Sequence, residues 1–220
     1  MNLLKIKHFD KDFLIDAGKI YSINLESRKL YLTFISALMD GDKDYFIYSE
    51  DFKPVDFDKR SICITDVFGI DPNSRKILNS LYKRIGNNMT DASDKEKLER
   101  INTEILGMLD RFSMDMGAKM RFDIDLDIIK ILGLYKFEFE NENKDLVGKL
   151  VTYIKANMEI MDLKFVVSIN VLPLICEDEF DVFQKELELL GLTLINVNYV
   201  NKFVNKKIEC ITVDEDLCEF

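Results

Sequence analysis

The chain has 220 residues, with 30 Lys and Arg against 40 Asp and Glu for a net charge of -10, and 47% of it is hydrophobic with only 3 prolines and 9 glycines. Such a composition buries a core, excludes disordered and collagen-like chains, and limits the protein to one large domain or a domain carrying an insertion. The acidic average argues against a surface coated in basic charge but leaves room for a local basic face, because charge distribution governs nucleic-acid binding.

Residues 2 to 24 read as short strands: Leu4, Ile6 and His8 alternate with Lys5 and Lys7, then Phe13-Leu14-Ile15 and Ile20-Tyr21-Ser22-Ile23 follow, punctuated by Asp10 and Gly18. Leu30, Phe34 and Leu38 predict a helix from Ser27 to Met39. Ser61-Ile62-Cys63-Ile64-Thr65-Asp66 is an apolar run ending in a carboxylate, the form in which a buried strand brings an acid to the C-terminal edge of an α/β sheet.

Helical spacing takes over at Asp71. Asp71 and Pro72 form a helix start, Ile77, Leu78, Leu81, Tyr82 and Ile85 an apolar stripe, and Gly86 an end. After a polar loop from Asn87 to Ser93, Ser93 and Glu96 match a capping box for a second helix bearing Leu98, Ile101, Ile105, Leu109 and Phe112. Met120 to Leu126 alternates like a strand or leads into a short helix ending near Gly133. A third long helix, from Asp145 to about Met161, carries Val147, Val151, Ile154, Met158 and Met161 on one face.

Sheet patterning then returns. Phe165 to Val171 is a buried strand, Phe180, Phe183, Leu187 and Leu190 mark a helix closed by Gly191, and Leu192 to Tyr199 is a second strand, which makes a βαβ unit; Ile208 to Val213 closes the sheet. The expected fold is α/β: a head built from residues 1–71 and 163–220, with a helical insertion over 72–162.

Several chemistries lack their residues. Cys63, Cys176, Cys210 and Cys218 are scattered, with no C-x-x-C pair, as in reduced cytosolic thiols rather than a disulfide framework or a zinc site. His8 is the only histidine, so a Ser-His-Asp or Cys-His site could be built on no other, and its alternating surroundings read as a strand. No apolar run approaches the ~20 residues that cross a bilayer, which predicts a soluble cytoplasmic protein. Ala17-Gly18-Lys19-Ile20 is the nearest approach to a phosphate loop, but Phe13 stands where the first Gly is needed and Ile20 where a Mg²⁺-binding hydroxyl is needed.

Ile64-Thr65-Asp66-Val67-Phe68-Gly69-Ile70-Asp71-Pro72-Asn73-Ser74-Arg75-Lys76-Ile77-Leu78 resembles the strand, aspartate, "D-x-N-S" turn and helix of the CRISPR-associated Csn2 family, the accessory proteins of type II-A spacer acquisition. Asp214-Glu215-Asp216-Leu217-Cys218 and the order of helical insertion between sheet halves resemble it too. The resemblance implies a head similar to that of P-loop ATPases without a working phosphate loop, no enzymatic activity, and a homotetrameric ring that encircles the ends of linear double-stranded DNA, with calcium supporting the ring. It also implies other type II-A adaptation and effector proteins as partners, and no membrane. The alternative class is a degenerate metal-dependent phosphotransfer or nucleotide-hydrolysing enzyme. The missing phosphate loop weighs against it, since positioned phosphate contacts do most of the work in phosphoryl transfer.

Threading DNA needs cations that neutralise phosphate without reading bases. Lys76 and Lys83, seven apart, share a helix face with Arg75 and Arg84 beside them; a merely solvated face is the alternative. Lys144, Lys149 and Lys155 on the third long helix, and Lys202, Lys206 and Lys207, are further candidates. Asp123, Asp125 and Asp127 are spaced so that an extended segment points all three carboxylates one way, toward Ca²⁺. The spacing is not an EF-hand, which would need Gly at Ile128 and Glu at Leu134, and the alternative is a polar strand face with an Asp capping the next helix. Glu138, Glu140 and Glu142 form a weaker cluster, Asp214 to Asp216 an acidic tail, and Asp66 a structural acceptor rather than a catalyst.

Overall fold

The computed structural model describes residues 1–88, 92–116, 120–121, 126–140, 145–199 and 205–219 and divides into two units, Met1–Pro72 with Asn141–Phe220, and Asn73–Glu140. In the larger unit, β1 (Asn2–Ile6) alternates as expected, with Leu4 and Ile6 buried and Lys5 exposed, and it pairs antiparallel with β2 (Phe13–Leu14). His8 is not on a strand: it lies in the turn after β1 with φ +72°, its ring edge-on to Tyr45. β3 (Ile20–Leu25) is buried throughout and runs into α1 (Arg28–Asp40), which starts where the Ser27 hydroxyl accepts the Leu30 N–H.

A hairpin that the sequence conceals comes next, β4 (Phe46–Glu50) and β5 (Lys53–Val55), completing a four-stranded antiparallel sheet in the order β2-β1-β4-β5. Its two-residue turn places Asp51 and Phe52 at φ +47° and +64°, a left-handed pair that Asn-Gly or Asp-Gly ordinarily supplies. Without glycine, the turn carries no signal. β6 (Ser61–Ile64) then leads toward the smaller unit.

The smaller unit contains α2 (Arg75–Asn88), α3 (Ala92–Asp115) and α4 (Ile128–Leu134). α2 starts at Arg75, three residues beyond the Pro72 expected at its first position, and runs through the Gly86 expected to end it, because a right-handed glycine costs a helix only about 1 kcal/mol. Ser93, expected as a cap, lies within α3, and Asn87 within α2. Most of the segment expected to alternate, 120–126, lies outside the described residues.

The chain returns through α5 (Leu146–Met158), β7 (Phe165–Ile169), α6 (Glu177–Leu189), β8 (Thr193–Tyr199) and β9 (Glu209–Val213). These strands join β3 and β6 in a parallel five-stranded sheet, order β6-β7-β8-β3-β9. One face, with Tyr21, Ile23, Val167 and Ile195, packs on α1 and the antiparallel sheet. The other, with Ile20, Val166 and Leu194, packs on α5 and α6. The sequence pattern groups α5 with the insertion, but Val147, Leu150, Val151 and Ile154 fill this second core and fix α5 in the larger unit. An amphipathic stripe shows that a helix is half-buried and not what buries it.

Toward the C-terminal edge, the α5/α6 face turns polar. Ser168 and Asn196 are hydrogen-bonded to each other, Asn196 to Asn198, and Asn198 to Ser22 and Asn24, all of them buried. The chain is therefore α/β with an inserted helical unit, as the sequence pattern predicts.

Candidate nucleic-acid interface

α2 holds four cations and no acid: Arg75, Lys76, Lys83 and Arg84 are all exposed. Its buried side, Ile77, Leu81 and Tyr82, lies opposite Lys76 and Lys83, and Arg75 and Arg84 flank it. At about 100° per residue, Lys76 and Lys83 project within about 20° of one another and about 10 Å apart along the axis. Arg75, Lys76 and Lys83 have no carboxylate within ion-pair distance among the described residues. Asn79 and Asn87, exposed on the same side, add neutral donors suited to phosphate oxygens.

The remaining cationic candidates fare differently. Lys149 is exposed on α5, whereas Lys155 is bound to Glu186 of α6 at 3.1 Å and Lys207 is held by both carboxylate oxygens of Asp181. Pairing of this kind needs α6 beside α5 and the β9 approach beside α6, a proximity that no local spacing reveals. Lys206 is exposed, while Lys144 and Lys202 lie outside the described residues.

Of the carboxylates proposed for calcium, Asp123 and Asp125 lie outside the described residues. Asp127 is the N-cap of α4, its Oδ1 accepting the Ile129 N–H at 3.0 Å, which is the capping role. Among the described residues, no group of three His, Cys, Asp or Glu side chains is placed to hold a metal ion. Glu138 and Glu140 are exposed, and Glu142 lies outside the described residues. Asp214 is no loose tail residue, since its carboxylate accepts the N–H groups of Asp216 and Cys218.

Asp66 is a turn acceptor, receiving the Phe68 N–H at 3.0 Å. Gly18-Lys19 precedes a strand, not a helix. Gly18, at φ +72°, donates its N–H to the Leu192 carbonyl, and Lys19 reaches Tyr21 and Glu209. A phosphate loop joins a strand to a helix, and the junction in that position, between β3 and α1, consists of Glu26 and Ser27. Ser27 is already committed to capping, and an acid occupies the other position. The Cys63 thiol is pushed up to about 11 by burial, which makes it a poor nucleophile or ligand. No helix among the described residues is long and apolar enough to cross a membrane.

A second surface feature belongs to α3. Ile101, Ile105, Met108 and Phe112, spaced four, three and four, lie on one stripe and are 47%, 39%, 46% and 55% exposed. None of the described side chains of this helix, 93–115, is buried.

The sequence matches the family model described as CRISPR-associated protein (Cas_Csn2) over residues 38–217. No curated protein matches it significantly. Similar solved structures include a putative ABC transporter ATP-binding protein from Pyrococcus furiosus, with TM-score 0.45 and 9% identity over 96% of both chains. Another is an ATP-binding cassette of an ABC transporter in its ADP conformation, with TM-score 0.45 and 11% identity over 96% of this chain and 87% of the other. A nucleotide-free cassette has the same score and identity over 100% and 91%.

Proposed function

This chain belongs to the Csn2 family of CRISPR-associated proteins, and on that premise we propose that it binds the ends of double-stranded DNA without regard to sequence, as a homotetrameric ring, in support of type II-A spacer acquisition. The observation that carries the reading is α2: three exposed cations without ion-pair partners among the described residues, on a helix free of acids, in a chain of net charge -10. Cations on a helix neutralise phosphate as charges, a contact that carries no sequence information. A ring reconciles such a face with an acidic exterior, since field lines concentrate in an enclosed basic channel and enclosure slows release.

Self-association is supported by α3, whose exposed stripe has the spacing of a helix seam that a second helix covers. The non-enzymatic reading is supported by the two residues between β3 and α1, too short a connection to wrap a phosphate. Other type II-A adaptation and effector proteins complete the proposed set of partners.

The experiment is a mobility shift comparing one duplex as a linear fragment and as a covalently closed circle, with assembly followed in parallel by light scattering. A threading ring retains the linear form and releases the circle. Equal affinity for both removes threading, and a monomer at micromolar concentration removes the ring.

A further inference from the structure

The chain enters the smaller unit at Asn73 and leaves it after Glu140. The two ends are tied together by a side chain. The Asn73 Nδ2 donates to the Phe139 carbonyl at 2.9 Å, and the Phe139 N–H donates to the Asn73 Oδ1 at 2.8 Å. This is the exchange that two opposed residues make in an antiparallel sheet, with one backbone replaced by a carboxamide. Two residues earlier, the Phe137 carbonyl accepts the Tyr82 hydroxyl at 2.9 Å. Both contacts fall on the backbone of 137–139.

That segment belongs to no helix or strand, and Phe137 is half exposed, so apolar burial does little to hold it. The Phe137 N–H is held by the Leu132 carbonyl of α4 at 2.9 Å, and the side-chain contacts come from α2 and its approach: Asn73 stands two residues before Arg75, and the buried Tyr82 lies within the helix. The clip therefore holds the helix that carries Arg75, Lys76 and Lys83 at its approach, through Asn73, and within its length, through Tyr82. Neither Asn73 nor Tyr82 contributes a charge.

Resting on the DNA-binding reading above, we propose that Asn73 and Tyr82 are positioning residues, which preorganise the cationic face of α2 by clipping it to the backbone of 137–139. A face held in place before DNA arrives loses less freedom on binding, so affinity depends on the clip although the number of phosphates neutralised does not. This separates a positioning residue from a contacting cation. Removing a cation changes the salt slope; releasing the clip weakens binding at every salt concentration alike.

The test uses Asn73→Ala and Tyr82→Phe in the full chain, the second keeping the buried ring and removing only the hydroxyl. Amide hydrogen exchange should speed up in α2 and at Phe139 while β7 and β8 keep their protection, and linear duplex DNA should bind about threefold to tenfold more weakly with an unchanged salt slope. Wild-type exchange at Phe139 in both variants would show that no clip operates. Faster exchange with wild-type DNA affinity would overturn the positioning role alone, and absence of DNA binding by the unaltered protein would overturn the DNA reading and the binding half of this proposal with it.

Discussion

Asn196 makes more hydrogen bonds inside the head than any spacing rule would suggest, and replacing it with alanine is expected to cost about 3–5 kcal/mol. The residue is fully buried. Its Oδ1 accepts the Ser168 hydroxyl at 2.8 Å and the N–H groups of Val171 and Leu172 at 3.0 and 3.2 Å, while its Nδ2 donates to Asn198 at 2.7 Å. Truncation leaves two backbone amides that cannot turn away, at about 1–2 kcal/mol each. The stranded Ser168 and Asn198 groups add about 1 kcal/mol, since hydroxyl and carboxamide can turn toward one another's remaining partners. The total is a large share of the roughly 5–15 kcal/mol that stabilises a domain. Urea unfolding followed by circular dichroism measures it, with an unchanged m-value as the sign that the same two states are compared. Asn198→Ala, which strands only the side chains of Ser22, Asn24 and Asn196, should cost less. A loss below about 1 kcal/mol for Asn196→Ala would refute the claim that this carboxamide fixes the turn after β7.

Gly18→Ala should destabilise by about 2–3 kcal/mol, because the position has φ +72° and the new Cβ would stand 2.9 Å from the Glu188 Cβ; an unshifted melting temperature would contradict this. Acid should weaken the fold in a defined direction. A hydrogen bond from Lys11 holds the Glu209 carboxyl below its ordinary value, hydrogen bonds from Lys43 and Lys59 do so for Asp56, and one from Lys164 for Asp162. Groups depressed in the folded state stabilise it above their unfolded values, so melting temperature should stay level down to about pH 5 and fall below that. These pairs are largely exposed, so high salt should blunt the fall, and a rise in stability toward pH 3 would reverse the sign of the argument. Asp127→Ala should cost about 1 kcal/mol through loss of the α4 cap, equally with calcium and with chelator. A loss confined to calcium-containing buffer would make Asp127 a ligand instead.

The parts of the fold legible in the sequence are those whose signal is local. β3, β7 and β8 are apolar-rich runs, interrupted by the buried polar residues of one face, because both faces of the parallel sheet are covered, and α1 is announced by Ser27 and the Leu30-Phe34-Leu38 stripe. The β4–β5 hairpin was not legible, because Asp51-Phe52 adopts left-handed geometry without the residues that usually mark it. The destination of α5 was hidden for a different reason: its stripe fits equally well against another helix or against a sheet. The cationic face of α2 follows from spacing alone. That Lys155 is neutralised by Glu186, 31 residues away, and that Asn73 clips Phe139, 66 residues away, depends on tertiary neighbours that local pattern cannot supply.

The central claim is that α2 meets the phosphate backbone, and the salt dependence of binding tests it most directly. Lys76→Gln with Lys83→Gln removes two cations without adding charge. If each neutralises a phosphate, the slope of log affinity against log salt should flatten by about 1.8, which narrows the spread of affinity between about 50 and 200 mM salt by about twelvefold, on any sequence of linear duplex. A variant that binds with the wild-type slope would contradict the assignment of this face and return the search to Lys149, Lys206 and the cations outside the described residues.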